Sequence, residues 1–261
     1  VDTVLGPNVV YTVGLAFAAE ALLCAQGTVI VARDGRLSGP VLMSALVAGL
    51  RDGGVNVVDI GMVPTPVLYY ATHHLGSQSG IMLTGSHNPA DYNGLKMVLA
   101  GKTLTEDAIQ GIKQRIEAGQ LMEHGHPQGG YEKNHALLLR YSTEITAQIQ
   151  LERPLKVVLD CGNGVTGPVA VPVLRGIGAE VVPLYAEVDG RFPNHHPDPT
   201  RPELLQDLQA KVAEVKADVG LALDGDGDRL GVVTAGGEII WADRQMMLLA
   251  QDVLSRHPGT Q

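Results

Sequence analysis

Two short segments carry residue types that do chemistry. The first, LTGSHNPADYNGLK over residues 83–96, follows an apolar run and sets a hydroxyl, Ser86, where a buried strand would meet the surface. His87 is its neighbour, and Lys96 lies in the next apolar run. Gly, Ser, Asn, Pro and Asp favour turns for separate steric and hydrogen-bonding reasons. Ser86 therefore reads as a nucleophile, a phosphate carrier, a helix cap or a turn residue. The second segment, DGDGDR over residues 224–229, places Asp224, Asp226 and Asp228 at alternate positions with glycines between them. Glycine admits backbone angles that let the three side chains curl around one cation, and hard oxygen ligands suit Mg²⁺ or Ca²⁺ better than zinc. An EF-hand requires Gly at its sixth position and Glu at its twelfth; Arg229 and Ala235 stand there. Three facing carboxylates repel one another without a cation, so metal binding is expected rather than a plain polar turn.

A hydrolytic serine needs a base within hydrogen-bond reach and an oxyanion hole. The elbow pattern G-x-S-x-G is broken by Asn88. Neighbouring side chains on an extended segment point apart, so no Ser86–His87 dyad is expected. A serine that carries phosphate needs a divalent ion, cationic neighbours and a proton donor and acceptor. The Asp loop, Arg229 with Arg33 and Arg36, and Lys96 offer these in turn. A phosphoserine near −2 and three carboxylates total about −5, which one Mg²⁺ reduces to about −3. Arg229 and Lys96 would then be needed to hold the site together. Lysine also shifts its pKa readily when desolvated or crowded by cations, which suits acid–base work.

A competing motif is DCGNGVTG at 160–167. Gly162, Gly164 and Gly167 fit G-x-G-x-x-G after a strand and before a helix, and Glu187 closes the next strand where a ribose-binding acid would sit. An NAD-dependent oxidoreductase is thus a second function class, although the same glycines equally suit a tight strand-to-helix turn. A noncatalytic sugar-phosphate-binding protein is a third.

The elements that must position these loops alternate along the chain. Strand patterns at 28–32, 55–61 and 79–83 are separated by helical patterns opening near Asn8, Ser38 and Pro66, and a further strand at 95–100 precedes a helix near Thr105. A polar stretch at 119–130 marks a boundary. The plan then repeats: helix 134–149, strand 155–160, helix 168–177, strand 180–185, a long loop, helix 203–216, and strands at 218–223 and 230–234. Nearly continuous apolar strands alternating with helices predict sheets covered on both faces. Ligands in such folds gather beyond the carboxyl ends of the strands, where Arg33–Arg36, Ser86 and Asp224 all fall. The order of elements around Ser86 resembles that around Asp224, as a duplication would produce.

Composition sets the outer bounds. A chain of 261 residues, 45% hydrophobic and 18% charged, fits about two globular domains. A formal charge of −9 disfavours nucleic acid, so an anionic substrate needs a local basic pocket. Cys24 and Cys161 give neither a disulfide framework nor a metal spacing and are expected to be buried thiols. No apolar stretch is long enough to span a bilayer, and no signal-peptide pattern opens the chain. A cytoplasmic compartment and no membrane partner are expected. Val1 is not an initiator, and the chain reads as a fragment.

TGSHNP with DYNGLK following it, ARDGRLSG before and DGDGDR after resemble the α-D-phosphohexomutase superfamily. GMVPTPVLYYATHHL, VVLDCGNG and EVDGRFPNHHPDP extend the match over essentially the whole chain. The resemblance implies two similar three-layer α/β domains with mixed, mostly parallel sheets, at 1–133 and 134–238, and the start of a third at 239–261. It implies reversible movement of phosphate between the 1- and 6-positions of mannose or glucose phosphates, through a phosphoserine at Ser86 and an enzyme-bound hexose 1,6-bisphosphate. Ser86, Asp224, Asp226 and Asp228 would hold Mg²⁺. Lys96 would be the general acid/base, His87 and Arg229 would support the serine loop, and Arg33 and Arg36 would face the cleft. In that family the DCGNG turn is structural. The implied partners are small hexose phosphates, and a monomer is expected. Family members have four domains, so a chain with two retains the chemistry and lacks the sugar- and phosphate-recognition loops. It is expected to fold and to turn over sugar phosphates poorly.

Overall fold

The computed structural model describes residues 5–121, 127–257 and 259. The first sheet and its helices run α1 (Pro7–Leu23), β1 (Thr28–Arg33), α2 (Gly39–Asp52), β2 (Asn56–Met62), α3 (Thr65–His74), β3 (Gly80–Leu83), β4 (Leu95–Leu99), β5 (Lys102–Thr103), α4 (Glu106–Glu117) and β6 (Tyr131–Lys133). The second set runs α5 (Ala136–Gln148), β7 (Lys156–Asp160), α6 (Gly167–Gly176), β8 (Glu180–Leu184), a 3-10 turn (Pro202–Leu204), α7 (Gln206–Val215), β9 (Val219–Leu223), β10 (Leu230–Thr234), β11 (Ile239–Ile240) and α8 (Ala242–Arg256).

The sheets share one plan. Their strand orders are β5-β4-β3-β1-β2-β6 and β11-β10-β9-β7-β8. In the first, β1 runs parallel to β2 and β3, while β4 turns back antiparallel on β3. In the second, β7 runs parallel to β8 and β9, and β10 turns back on β9. Both sheets are mixed, as the family resemblance implied.

Apolar runs explain the layers. Val29 to Ala32 of β1 are fully buried because both faces are covered. On one side of the first sheet Phe17, Leu46 and Ile112 from α1, α2 and α4 meet Val29 and Val31, and on the other Val67, Leu68 and Leu137 meet Ile30 and Met82. The second sheet is covered by Leu208 and Val212 of α7 on one face and Val171 of α6 on the other. Helix α5 packs against both α3 and α6, which ties the two sheets together.

Several expectations shift. α1 begins at Pro7 with Gly6 as its cap, because proline is pre-organised for a first helical position. α3 begins at Thr65 and not Pro66. The helix expected at 203–216 divides into a 3-10 turn and α7. Strand β6, inside the first unit expected, is exposed and polar, and pairing with β2 rather than hydrophobic pattern creates it. Of the polar stretch 119–130, residues 122–126 lie outside the described residues. Cys24 is exposed rather than buried, and Cys161 is buried. No helix among the described residues is long and apolar enough to cross a membrane.

Candidate active site

The loops after β3 and β9 leave corresponding positions in the two sheets and meet. Ser86 Oγ donates a hydrogen bond to Asp224 Oδ2 at 2.6 Å across 138 residues of sequence. A side chain at Gly225 would place its Cβ 2.5 Å from the Ser86 carbonyl oxygen, so only glycine lets the backbones come this close. Ser86 itself has φ +48°, a left-handed conformation that costs a non-glycine residue roughly 1–3 kcal/mol. That conformation brings Oγ to 3.4 Å from His87 Nδ1. The expectation that the two side chains diverge assumed extended backbone, and this residue is not extended. The distance is nevertheless long for a hydrogen bond.

The acids divide their oxygens. Asp224 and Asp226 are fully buried and Asp228 is partly open. Asp224 Oδ1 accepts the N–H groups of Asp228 and Arg229 at 3.0 and 3.1 Å, and Oδ2 takes Ser86. Asp226 Oδ2 accepts the Thr65 hydroxyl and Lys96 Nζ, while Asp226 Oδ1 is buried with no hydrogen-bond partner. Ligand oxygens of the three acids lie within 4.8 Å of one another. Burial and then the charge of Asp226 push Asp224 up to about 7. Burial would raise Asp226 too, but Lys96 and Thr65 outweigh it and hold that carboxyl low. An unpaired carboxylate oxygen buried among acids is costly. An all-oxygen donor set of this kind fits a hard divalent cation such as Mg²⁺.

Lys96 stands on β4 opposite Met82 of β3, with its ammonium between Asp226 and Asp228. Burial works to lower its pKa, but the two carboxylates win and raise it. The cation crowding anticipated from sequence is replaced here by anion crowding. His87 is shifted down by burial and then by the Arg229 charge. Arg229 is exposed, and among the described residues its guanidinium has no hydrogen bond or ion pair.

Arg36 and Arg33 do not face this site. The Arg36 side chain is fully buried, and a guanidinium has five N–H donors, all occupied within the protein. Nε pairs with Asp34 Oδ2 at 3.0 Å, Nη1 bonds the carbonyls of Pro89 and Tyr92, and Nη2 bonds those of Ser86 and Asn88. Nothing remains for a phosphate. Arg36 instead frames the serine loop, and Gly85 makes room for it, since a Cβ there would lie 2.4 Å from Arg36 Cζ. Arg33 donates to the Asp34 carbonyl and lines a separate pocket with Arg51, Asp59 and Lys133. Arg33 ends β1, whereas Arg36 lies in the loop that follows it.

Sequence reasoning missed several participants. Asp34 Oδ2 also accepts the Thr84 hydroxyl and the Gly85 N–H, and Thr84 Oγ1 accepts the Ser86 N–H. Thr65 was hidden inside what looked like an ordinary helix entry. Tyr69, half-buried, feels the charges of Lys96, Asp228 and Asp226. The segment FPNHHPDP, which had no role, is a support. Phe192 lies under Arg36 with 5.2 Å from Cζ to the ring centroid, and His195 Nε2 pairs with Asp160 Oδ2 at 2.8 Å. Burial favours neutral His195, but Asp160 outweighs it and raises the pKa. The glycines of DCGNGVTG are packed against protein: Cβ atoms at Gly164 and Gly167 would meet Gly225 and Ala186 oxygens at 2.7 and 2.0 Å. The N–H groups of Gly162, Asn163, Gly164 and Val165 are spent on acceptors within the protein, which takes away the amide cradle that the NAD reading needs.

Comparison with known proteins agrees with this geometry. Residues 1–123 match the phosphoglucomutase/phosphomannomutase alpha/beta/alpha domain I, and residues 139–237 match domain II. A phosphomannomutase/phosphoglucomutase of Pseudomonas putida is 52% identical over the whole chain, which covers 56% of that relative. A phosphoglucomutase of Neisseria gonorrhoeae is 47% identical over 99% of the chain and 56% of its own length. A crystal structure of a phosphoglucomutase/phosphomannomutase family protein from Burkholderia thailandensis superposes with TM-score 0.94 at 49% identity, covering all of this chain and 58% of that one. The chain thus spans little more than half the length of these relatives.

Proposed function

Because the chain belongs to the phosphohexomutase superfamily and carries its first two α/β/α domains, we propose that it supplies the phosphoryl-transfer half of a hexose-phosphate mutase. The observation that carries this reading is the 2.6 Å contact of Ser86 Oγ with Asp224, beside the unpartnered buried oxygen of Asp226. In this reading Ser86 bears phosphate between turnovers. The bond from phosphorus to Ser86 Oγ breaks while one forms to a hydroxyl oxygen at the 1- or 6-position of a mannose or glucose monophosphate. The product is a hexose 1,6-bisphosphate, which returns its other phosphate to Ser86.

Each side chain has a part. Lys96, charged between Asp226 and Asp228, handles protons at the serine and sugar oxygens. Arg229, exposed beside His87, supplies positive charge to the phosphoserine, and His87 supports the same loop. Asp224, Asp226 and Asp228, with the phosphoserine oxygen, hold Mg²⁺, which when bound neutralises charge on the phosphoryl group. We assign 1–133 and 134–238 to the two domains and 239–261 to the opening of a third. The exposed Met246, Met247 and Leu248 of α8 accord with that assignment. A cytoplasmic monomer acting on small hexose phosphates completes the reading.

Incubation with glucose 1,6-bisphosphate and Mg²⁺ is expected to add one phosphate by intact mass. Ser86→Ala is expected to abolish the gain. A mutant that still gains phosphate would end the phosphoserine assignment. Sugar-phosphate binding with no mass gain in the parent protein would favour a noncatalytic binder.

A further inference from the structure

The buried carboxylate of Asp226 is held from outside its own loop. Its Oδ2 accepts the hydroxyl of Thr65, and its backbone carbonyl accepts the Thr65 N–H at 2.9 Å. Thr65 is fully buried and is the first residue of α3, a helix that packs on the first sheet. The acidic loop belongs to the second sheet. One residue of one unit thus grips both the side chain and the main chain of a candidate ligand of the other.

The grip decides which oxygen is left over. A carboxylate can rotate and present either oxygen. With Thr65 and Lys96 both on Oδ2, Oδ1 is the atom without a partner, and it is buried. Asp224 is divided in the same sense: two backbone N–H groups fix Oδ1, and Oδ2 faces Ser86. Two buried carboxylates therefore each present a single oxygen. Lys96 is a long, flexible holder of Oδ2, whereas Thr65 is short, β-branched and stiff about its first side-chain torsion.

We propose that Thr65 is a positioning residue of the cation site, which orients Asp226 so that Oδ1 faces the metal and which makes formation of the site depend on the docking of the two units. The inference rests on the metal reading of the Asp loop. It also gives the PTP sequence at 64–66 a purpose beyond starting a helix. Outer partners of metal ligands commonly set affinity by 10–100-fold.

Manganese serves as the probe, titrated into the chain and followed by loss of the free-ion electron paramagnetic resonance signal. Thr65→Val keeps the shape and the N–H and removes the hydroxyl. It is expected to weaken Mn²⁺ binding by about 10–100-fold, while thermal unfolding in chelator stays near that of the parent. Thr65→Ser is expected to restore most of the affinity. Equal affinity in Thr65→Val, or an equal loss in Thr65→Ser, would overturn the positioning role while leaving the metal site standing. Absence of binding by the parent chain would overturn the metal reading and the inference together.

Discussion

The β3–β4 loop with Ser86 and the β9–β10 loop with the three acids occupy the same place in two sheets whose strand orders correspond over five strands, yet they are held in opposite ways. The serine loop turns its carbonyl oxygens inward onto one buried guanidinium. The acid loop turns its N–H groups inward onto its own first residue, with Asp228 and Arg229 donating to the Asp224 carboxylate and Gly227 to the Asp224 backbone carbonyl. The difference follows from the cargo. A loop that presents a hydroxyl in a left-handed conformation needs an outside brace. A loop made of acids already contains the acceptors that its amides require. One plan therefore yields a strained, braced nucleophile and a self-capped ligand set, and their contact is the site.

The largest test of this contrast removes the brace. Arg36→Met leaves buried Asp34 without its counter-ion and takes the guanidinium away from four loop carbonyls, of which those of Ser86, Asn88 and Tyr92 lose their donor. Breaking one side of a buried ion pair costs about 3–5 kcal/mol, and a loss of that order is expected in urea unfolding. Arg36→Lys, which keeps the charge, is expected to remain folded and bind Mn²⁺ at the acid loop while accepting phosphate at Ser86 poorly. Parallel loss of both properties would show that the two loops are not braced separately.

A smaller effect concerns the long loop that supports both. His195 pairs with buried Asp160, and its pKa is raised above the ordinary value of about 6.5. The native state then binds more protons than the unfolded chain over the interval between those values, so stability falls as pH rises. The contribution is complete below about pH 6.5 and is lost as pH passes through the raised value. Asp160→Asn is expected to cost about 1.5–3 kcal/mol at the acid end and to flatten the decline that sets in above about pH 6.5. An unchanged slope in urea midpoints across that interval would assign the pH dependence elsewhere.

How much of this was legible in sequence depends on how local each signal was. Ser86 and the alternate aspartates were legible because residue type and spacing carry their chemistry, and the strand pattern placed both loops at carboxyl ends. Arg36 was misread because sequence shows a charge and not where its donors go. Five acceptors gathered from 34 and 86–92 are a tertiary fact. Thr65 was missed for the same reason, since its partner lies 161 residues away. β6 was missed because it owes its existence to a neighbour's edge. The FPNHHPDP segment matched a pattern but had no local chemistry, since its work is to pack against Arg36 and Asp160.

Phe192 provides the smallest and most selective test. Its ring faces the Arg36 guanidinium from the second unit, and the cation is already fully hydrogen-bonded. The ring therefore contributes through its face and its bulk, not through any donor or acceptor. Phe192→Leu keeps most of the apolar volume and removes the ring quadrupole. A desolvated cation–π contact is worth up to about 2 kcal/mol, and part of that returns through packing of leucine, so a loss of about 1 kcal/mol is expected. The decisive quantity is coupling. In a double-mutant cycle with Arg36→Lys, the loss from Phe192→Leu should shrink, because lysine no longer presents a flat cation to the ring. Strict additivity would mean that Phe192 merely fills space, and that the serine loop is braced from its own unit alone.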